Sequence, residues 1–209
     1  MVLRAMSKPN HPIRNVCVYC GSRPGSNPAY AEAARILGAA IAGAGLGLVY
    51  GGGTRGLMGL VAEAVMSGGG HVTGIIPEFL MEKEATREDL TTLSELVVTR
   101  DMHERKHKMF ERSDAFVALP GGIGTLEEII EIMTWAQLGQ HAKPIVFANV
   151  GGFWNPLDRL LDHMRGEGFI HTGHLVRPLV IDDPREIVPA ILATAPRDGE
   201  GNPAVIDKL

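Results

Sequence analysis

The sequence predicts a single α/β domain built on an open, doubly wound (Rossmann-like) parallel sheet with helices on both faces. Short apolar segments rich in Val and Ile alternate with longer segments of helical character along the chain. The apolar segments are continuous, as expected for strands that are covered on both faces. Glycine-rich turns follow several of them, and Gly accounts for 26 of 209 residues, above the usual share of ~7%.

Seven segments are predicted to be strands because they are short and apolar: 16–20, 46–50, 72–76, 96–99, 115–119, 144–148 and 178–181. Six longer segments are predicted to be helices: 28–44, 57–67, 102–112, 126–138, 156–167 and 184–193. Right-handed crossovers between parallel strands then give the doubly wound arrangement. Segment 77–93 is expected to be a long irregular connection. We expect the domain to span residues 15–195, between flexible tails at 1–14 and 196–209.

The composition excludes several classes of protein. Apolar residues make up 45%, charged residues 21%, and the net charge is −4, so the chain has no general attraction for nucleic acid or an anionic membrane. No apolar run approaches the ~18 residues of a membrane span, and the first 15 residues contain no signal-peptide core. We therefore expect a cytoplasmic enzyme.

The two cysteines, Cys17 and Cys20, have the spacing of a redox pair. Reactive pairs of this kind sit where a helix begins, whereas Cys17 falls inside an apolar strand segment. Residues three apart on a strand point to opposite faces. We therefore expect an inert core thiol and a second thiol at the strand end.

Three small-residue turns follow predicted strands and suggest an anion site. They are Gly21-Ser22, Gly51–Gly56 and the turn 120–125. In a doubly wound sheet, ligands bind beyond the carboxyl ends of the strands, where the strand order reverses. Backbone N–H groups at helix starts favour phosphate there, and glycine permits close approach.

Two motifs offer alternative functions. Gly51, Gly53 and Gly56 fit the dinucleotide fingerprint, but not in the first strand unit, and the following acid would be Glu78, behind a proline. His103 and His107 fit a zinc-protease pattern, but no third ligand can be assigned and the intervening residues are cationic. We expect no metal and no cofactor.

Three charged residues on predicted helices have both structural and functional interpretations. A helical wheel puts Lys106 in an apolar stripe and Arg105 at its flank. Either side chain could meet an anion, or Arg105 could pair with Asp101 while Lys106 covers the core with its stem. Thr125 and Glu128 are spaced as a capping box, which would explain Glu128 structurally. Alternatively, the Glu128 carboxylate could act on a sugar carbon beside a bound phosphate.

The segment 120–128 (Pro-Gly-Gly-Ile-Gly-Thr-Leu-Glu-Glu), preceded by Met-His-Glu-Arg-Lys at 102–106, resembles the LOG (lonely guy) family. The Cys-Gly-Ser stretch at 20–22, the glycine turn 51–59, Thr-Trp-Ala-Gln-Leu-Gly at 134–139 and Lys-Pro at 143–144 are similar to the same family. The likeness runs from about residue 16 to residue 191. Some relatives have been called lysine decarboxylases, but we find no case for a pyridoxal-binding lysine in this chain.

The resemblance implies hydrolysis of the N-glycosidic bond of an adenine-type nucleoside 5′-monophosphate, giving free base and ribose 5-phosphate. It implies a homodimer, in which Trp135 and Leu138 could contact the partner, or these two residues could pack in the core. By motif, Arg105 and Glu128 resemble the catalytic pair. The positions that resemble substrate contacts are Ser22, Gly52, Gly53, Glu84, Lys106, Gly121, Gly122, Gly124, Thr125, Glu127 and Thr134. Segment 84–105 is a few residues longer than in the family pattern, so Glu84 matches a family position less exactly than the other residues do.

The implied chemistry suits these residue types. Cleavage of a ribosyl C1′–N bond builds positive charge on the sugar, which a carboxylate beside C1′ stabilises. Such a carboxylate can activate water or attack directly. A non-catalytic nucleotide-binding protein and an AMP nucleosidase of purine salvage remain as alternatives. The N6 substituent stays open because one apolar group changes discrimination by only ~1–3 kcal/mol.

Overall fold

The computed structural model describes residues 13–84, 91–170 and 178–194. Within these ranges one sheet contains the strands β1 (Asn15–Tyr19), β2 (Gly47–Tyr50), β3 (Val72–Pro77), β4 (Glu95–Thr99), β5 (Ala115–Ala118), β6 (Ile145–Ala148) and β7 (Leu179–Ile181). All seven segments predicted to be strands are therefore confirmed, with small shifts at their ends. Most of the two predicted tails lies outside the described residues, so the domain boundaries stay predictions.

Seven α-helices lie in the described ranges: α1 (Pro28–Gly43), α2 (Gly56–Ser67), α3 (Glu78–Glu84), α4 (Met102–Glu111), α5 (Ile123–Gln137), α6 (Asn155–Gly166) and α7 (Pro184–Ala193). Several begin at side-chain caps, which satisfy backbone N–H groups of the first turn. The Asn27 carboxamide accepts from the Ala29 amide, and Pro28 starts α1. The Asp101 carboxylate accepts from the Glu104 amide at 2.8 Å and thereby starts α4.

The strand order is β4-β3-β2-β1-β5-β6-β7, and every neighbouring pair is parallel. This confirms the predicted doubly wound sheet. The central strand β1 pairs with β2 on one side and with β5 on the other, so Val16 faces both Leu48 and Ala115. The strand order reverses between β1 and β5, and this is the point at which such sheets bind ligands.

The core lies on both faces of the sheet. On one face, α1, α2 and α7 bury residues such as Leu37, Val61 and Ile187. On the other face, α4, α5 and α6 bury residues such as Met109 and Ile129. Because β1 is covered on both sides, its burial is nearly complete and its apolar residues do not alternate with polar ones.

Two expectations about secondary structure were wrong. Segment 77–93 is not wholly irregular, because α3 follows β3 directly and packs Leu80 and Met81 against Ile76. Helix α5 begins at Ile123 and not at residue 126. Its N-cap is Gly122, which has no side chain with which to accept a hydrogen bond. No helix in the described ranges is both long enough and apolar enough to cross a membrane.

Candidate active site

The three glycine turns that follow β1, β2 and β5 meet at the carboxyl edge of the sheet. The Gly21 amide donates to the Pro120 carbonyl at 3.1 Å, and the Leu57 amide donates to the Gly21 carbonyl at 3.0 Å. These two bonds connect the first turn to the other two. The predicted convergence of the turns is thus present in the structure.

Gly56 shows why the second turn requires glycine. Its φ is +60°, and an added Cβ would lie within about 2.5 Å of the Ser22 and Arg23 backbone. Any other side chain would combine left-handed strain with a backbone clash. The glycine therefore lets the start of α2 approach the turn after β1.

A cavity of about 260 Å³ opens where these turns meet. It lies between the ends of β1 and β5, at the reversal of strand order. Its walls combine glycine turns with two aromatic rings and one arginine; they are formed by Gly21, Ser22, Arg23, Pro24, Gly25, Tyr30, Leu57, Pro120, Gly121, Gly122 and Phe153. The rings of Tyr30 and Phe153 meet edge to face, with centroids 5.5 Å apart.

The start of α5 leaves room at two of its three glycines. A Cβ at Gly122 or Gly124 would have no neighbour within 4 Å, so both positions face open space. A Cβ at Gly121 would lie 2.2 Å from the Thr125 hydroxyl oxygen, because the buried Thr125 side chain fills that space. The first turn of α5 therefore offers backbone N–H groups without obstruction by side chains.

The expected capping box was wrong. Thr125 lies inside α5, at its third residue, and makes no side-chain cap. The helix starts earlier because the glycine turn 120–122 leads directly into it. A capping role therefore does not explain Glu128, which stands in the second turn of α5.

Arg105 lies deeper than the helical wheel suggested. Only 7% of its side chain is exposed. Its Nε donates to the Ile75 carbonyl at 3.2 Å, and its Nη2 donates to the Gly51 carbonyl at 3.2 Å. The alternative of a surface ion pair with Asp101 is wrong, because the guanidinium is anchored to the ends of β2 and β3.

Arg105 and Glu128 face each other from α4 and α5. The Nη2 atom of Arg105 lies 3.9 Å from Oε1 of Glu128, whose side chain is 11% exposed. That distance is within the range of an ion pair but too long for a hydrogen bond. The structure thus brings together, beside the glycine turns, the two residues that the resemblance implied to be catalytic.

Lys106 is held by two carboxylates on the neighbouring helix. Its Nζ lies 2.6 Å from Oε1 of Glu127 and 3.2 Å from Oε1 of Glu131. Burial disfavours the charged amine, but the hydrogen bonds to both carboxylates outweigh it and raise the pKa of Lys106. Lys106 therefore links α4 to α5 as a cation. Of the two alternatives for its side chain, the structure shows contact with an anion, and the anions are carboxylates of the chain itself.

The remaining predicted contacts differ in their positions. Gly52 and Gly53 are buried in the turn after β2, and Gly52 has a φ of +75°. Thr134 is exposed and donates its hydroxyl hydrogen to the Ile130 carbonyl at 2.8 Å. At ~1.5 Å of rise per residue it lies roughly 9 Å along α5 from Glu128, so this chain does not bring it to the pair. Glu84 ends α3, and its side chain lies outside the described part of the structure.

The two cysteines are free and buried, as predicted. Burial raises the pKa of the Cys17 thiol to about 12 and that of the Cys20 thiol further still. Neither thiol is therefore a nucleophile near neutral pH. They contribute to the two opposite faces of the core.

The histidines of the zinc-protease motif and the residues of the dinucleotide motif lie on exposed helix surfaces or in turns. His103 and His107 lie on the exposed side of α4, where His107 pairs with Glu111 at 3.2 Å. Among the residues that the structure describes, no three His, Cys, Asp or Glu side chains are grouped to hold a metal ion. Glu78, the acid of the dinucleotide reading, is exposed at the start of α3.

Sequence reasoning missed the aromatic wall of the cavity and the role of the Gly51 carbonyl. Tyr30 lies in the first turn of α1, and Phe153 follows the short 3₁₀ turn Val150–Gly152. No local pattern pairs two residues so far apart in the chain. The Gly51 carbonyl, like all backbone acceptors, leaves no signal in the side-chain sequence.

Comparisons with known proteins agree on the family. A family model described as "Possible lysine decarboxylase" matches residues 58–191. The chain is 45% identical over 198 residues to the cytokinin riboside 5′-monophosphate phosphoribohydrolase LOG3 of Arabidopsis thaliana, covering 94% of this chain and 90% of that protein. It is 52% identical over 159 residues to a probable enzyme of the same name, LOG4 of Oryza sativa subsp. japonica, covering 76% of this chain and 68% of that one.

Among solved structures, the X-ray structure of the structural-genomics target TM1055 is similar, with a TM-score of 0.65 and 26% identity over 86% of this chain and 98% of that one. The similarity to the Arabidopsis enzyme extends over nearly the whole chain. By sequence and by fold, this chain belongs to the LOG family.

Proposed function

We propose that the protein hydrolyses the N-glycosidic bond of adenine-type nucleoside 5′-monophosphates, in particular N6-substituted cytokinin riboside 5′-monophosphates. The products are the free base and ribose 5-phosphate. The observation that carries the proposal is the inward-facing pair of Arg105 and Glu128, 3.9 Å apart, beside the turns at the reversal of strand order. Relatives that are 45% and 52% identical carry this activity in their names.

Glu128 is the residue that acts at C1′ in this proposal. As the C1′–N bond breaks, its electron pair leaves with the base, and positive charge develops on the ribose. The Glu128 carboxylate stabilises that charge and directs a water molecule to C1′. The water oxygen then bonds to C1′ and keeps one proton as the C1′ hydroxyl, while its other proton passes to the departing base.

Arg105 provides the fixed positive charge of the pair. Its two hydrogen bonds to the Gly51 and Ile75 carbonyls hold it in place, so no reorganisation is needed during the reaction. It orients the Glu128 carboxylate and stabilises negative charge on the departing base. The 5′-phosphate at Gly122 and Gly124 acts as a remote anchor whose binding energy orients C1′.

The test is chromatography of the purified protein incubated with AMP and with isopentenyladenosine monophosphate. We expect free base and ribose 5-phosphate from the parent, and turnover lowered by orders of magnitude in Glu128→Gln with nucleotide binding retained. The matched control is Glu186→Gln, an exposed first-turn carboxylate on α7, which should behave as the parent. Hydrolysis of either nucleotide by Glu128→Gln at the parent rate would contradict the assignment.

The same experiment separates the two alternatives. A nucleotide-binding protein without hydrolase activity would bind both nucleotides and release no base. An AMP nucleosidase would show a higher kcat/KM for AMP than for the prenylated nucleotide. We propose the cytokinin activity because the curated relatives reported above are named for it.

We also propose that the protein acts as a cytoplasmic homodimer. Large apolar side chains are exposed at the two ends of α5: Ile123, its first residue, is 87% exposed, and Leu138, which follows its last residue, is 68% exposed. Faces of this kind mark contact surfaces. Light scattering should give twice the chain mass for the parent and the monomer mass for Leu138→Glu; a monomeric parent would contradict the proposal.

A further inference from the structure

The cavity at the reversal of strand order is suited to one part of a nucleotide. Its volume of about 260 Å³ lies below the ~300–1,000 Å³ of pockets that enclose a whole drug-sized ligand. Gly121 and Gly122 form its wall at the start of α5, together with Ser22 from the turn after β1. In the proposed function Gly122 contacts the 5′-phosphate, and Gly121 and Ser22 are predicted substrate contacts beside it.

A bound phosphate carries close to two negative charges, and the two α4 cations that face α5 already pair with carboxylates. Arg105 is buried against two carbonyls and Glu128. Lys106 is held by Glu127 and Glu131. This α4–α5 cluster contains three carboxylates and two cations, so it offers a dianion no net positive charge.

Among the described residues that line the cavity, Arg23 is the cationic one. Its backbone packs closely against the start of α2, since an added Cβ at Gly56 would lie only 2.4 Å from the Arg23 amide nitrogen. The residue is exposed, and within the described ranges its guanidinium takes part in no hydrogen bond or ion pair. Its charge is therefore available to a ligand in the cavity.

We propose that Arg23 binds the 5′-phosphate and is the principal side-chain cation for it, which Lys106 is not. This inference rests on the proposed function, because it assigns a residue to the anchor of that substrate. A guanidinium presents two parallel N–H donors that match two phosphate oxygens. The glycine N–H groups and Arg23 then bind the anion from two sides of the cavity.

The test is calorimetric binding in the Glu128→Gln background, where AMP is not consumed. The ligands are AMP, ribose 5-phosphate and adenosine. In Arg23→Ala, the affinity for AMP and for ribose 5-phosphate should fall by about 10- to 100-fold, because one charge-assisted hydrogen-bonding group is lost. Adenosine, which lacks the phosphate, should bind as before. The control is Arg35→Ala, which removes the same charge from the surface of α1 and should change nothing.

Three results would overturn the assignment. AMP and ribose 5-phosphate could bind Arg23→Ala as tightly as its Glu128→Gln parent. The affinity for adenosine could fall as much as that for AMP, which would indicate that the cavity binds the base. Arg35→Ala could lower the affinity for AMP equally, which would indicate a general effect of net charge. Because these are binding measurements, they test Arg23 even if the wild-type protein hydrolyses nothing, which would refute the proposed function alone.

Discussion

Replacement of Gly51 by Ala should disable the candidate site although no charged residue is replaced. Gly51 is buried at the end of β2, and an added Cβ would lie 2.0 Å from Nη2 and 3.1 Å from Cζ of Arg105. Two atoms cannot be so close, so the guanidinium must leave the Gly51 carbonyl. It then also moves relative to Glu128, which stands 3.9 Å away.

The magnitude follows from the bonds that are lost. A hydrogen bond to a charged group contributes ~1.5–3 kcal/mol, and a buried charge that loses its acceptor costs at least as much. We expect the free energy of unfolding to fall by about 2–4 kcal/mol in Gly51→Ala. Turnover should fall about 100-fold or more, because misplacement of a catalytic group by ~1 Å has that effect.

Two assays test this mechanism: urea unfolding for stability, and release of free base from AMP for turnover. Gly43→Ala is the matched control, since Gly43 ends α1 with no atom within 4 Å of an added Cβ. It should be neutral or slightly stabilising. In an Arg105→Ala background, Gly51→Ala should add little to the loss of turnover. Full additivity of the two substitutions, or parental turnover in Gly51→Ala, would refute the reasoning.

Three further predictions concern other buried groups. Trp154→Phe should lower the free energy of unfolding by about 1–3 kcal/mol, since the indole N–H donates to the Ala118 carbonyl at 3.0 Å; parental stability in urea would contradict this. Cys17 and Cys20 should resist iodoacetamide at pH 8 in the folded protein and react in denaturant, because burial raises both thiol pKa values, that of Cys17 to about 12; rapid alkylation before unfolding would count against it. Burial lowers the pKa of His141 in the folded state, so the unfolded chain binds more protons below about pH 6.5. Stability should therefore decrease as pH falls from about 6.5 through the folded pKa, and less steeply in His141→Gln; equal slopes would refute the role.

The sequence alone determined the sheet, because the signals for its strands are local. Continuous apolar runs such as 145–148 are too short for helices and are bounded by polar or small residues, so each identifies itself without reference to the rest of the chain. The glycine turns could be placed for the same reason. Their convergence then followed from a general property of parallel sheets, whose strands all end at one edge.

The tertiary structure alone decided what the charged residues do. A helical wheel does not distinguish a guanidinium at the flank of a stripe from one buried against the ends of β2 and β3, because the carbonyls that bind Arg105 come from Gly51 and Ile75, distant in the chain. The prediction of a capping box was wrong because α5 begins at a glycine turn and has no side-chain cap. Periodicity records which residues avoid water, whereas the pairing of Arg105 with Glu128 depends on how two separate helices pack on one sheet.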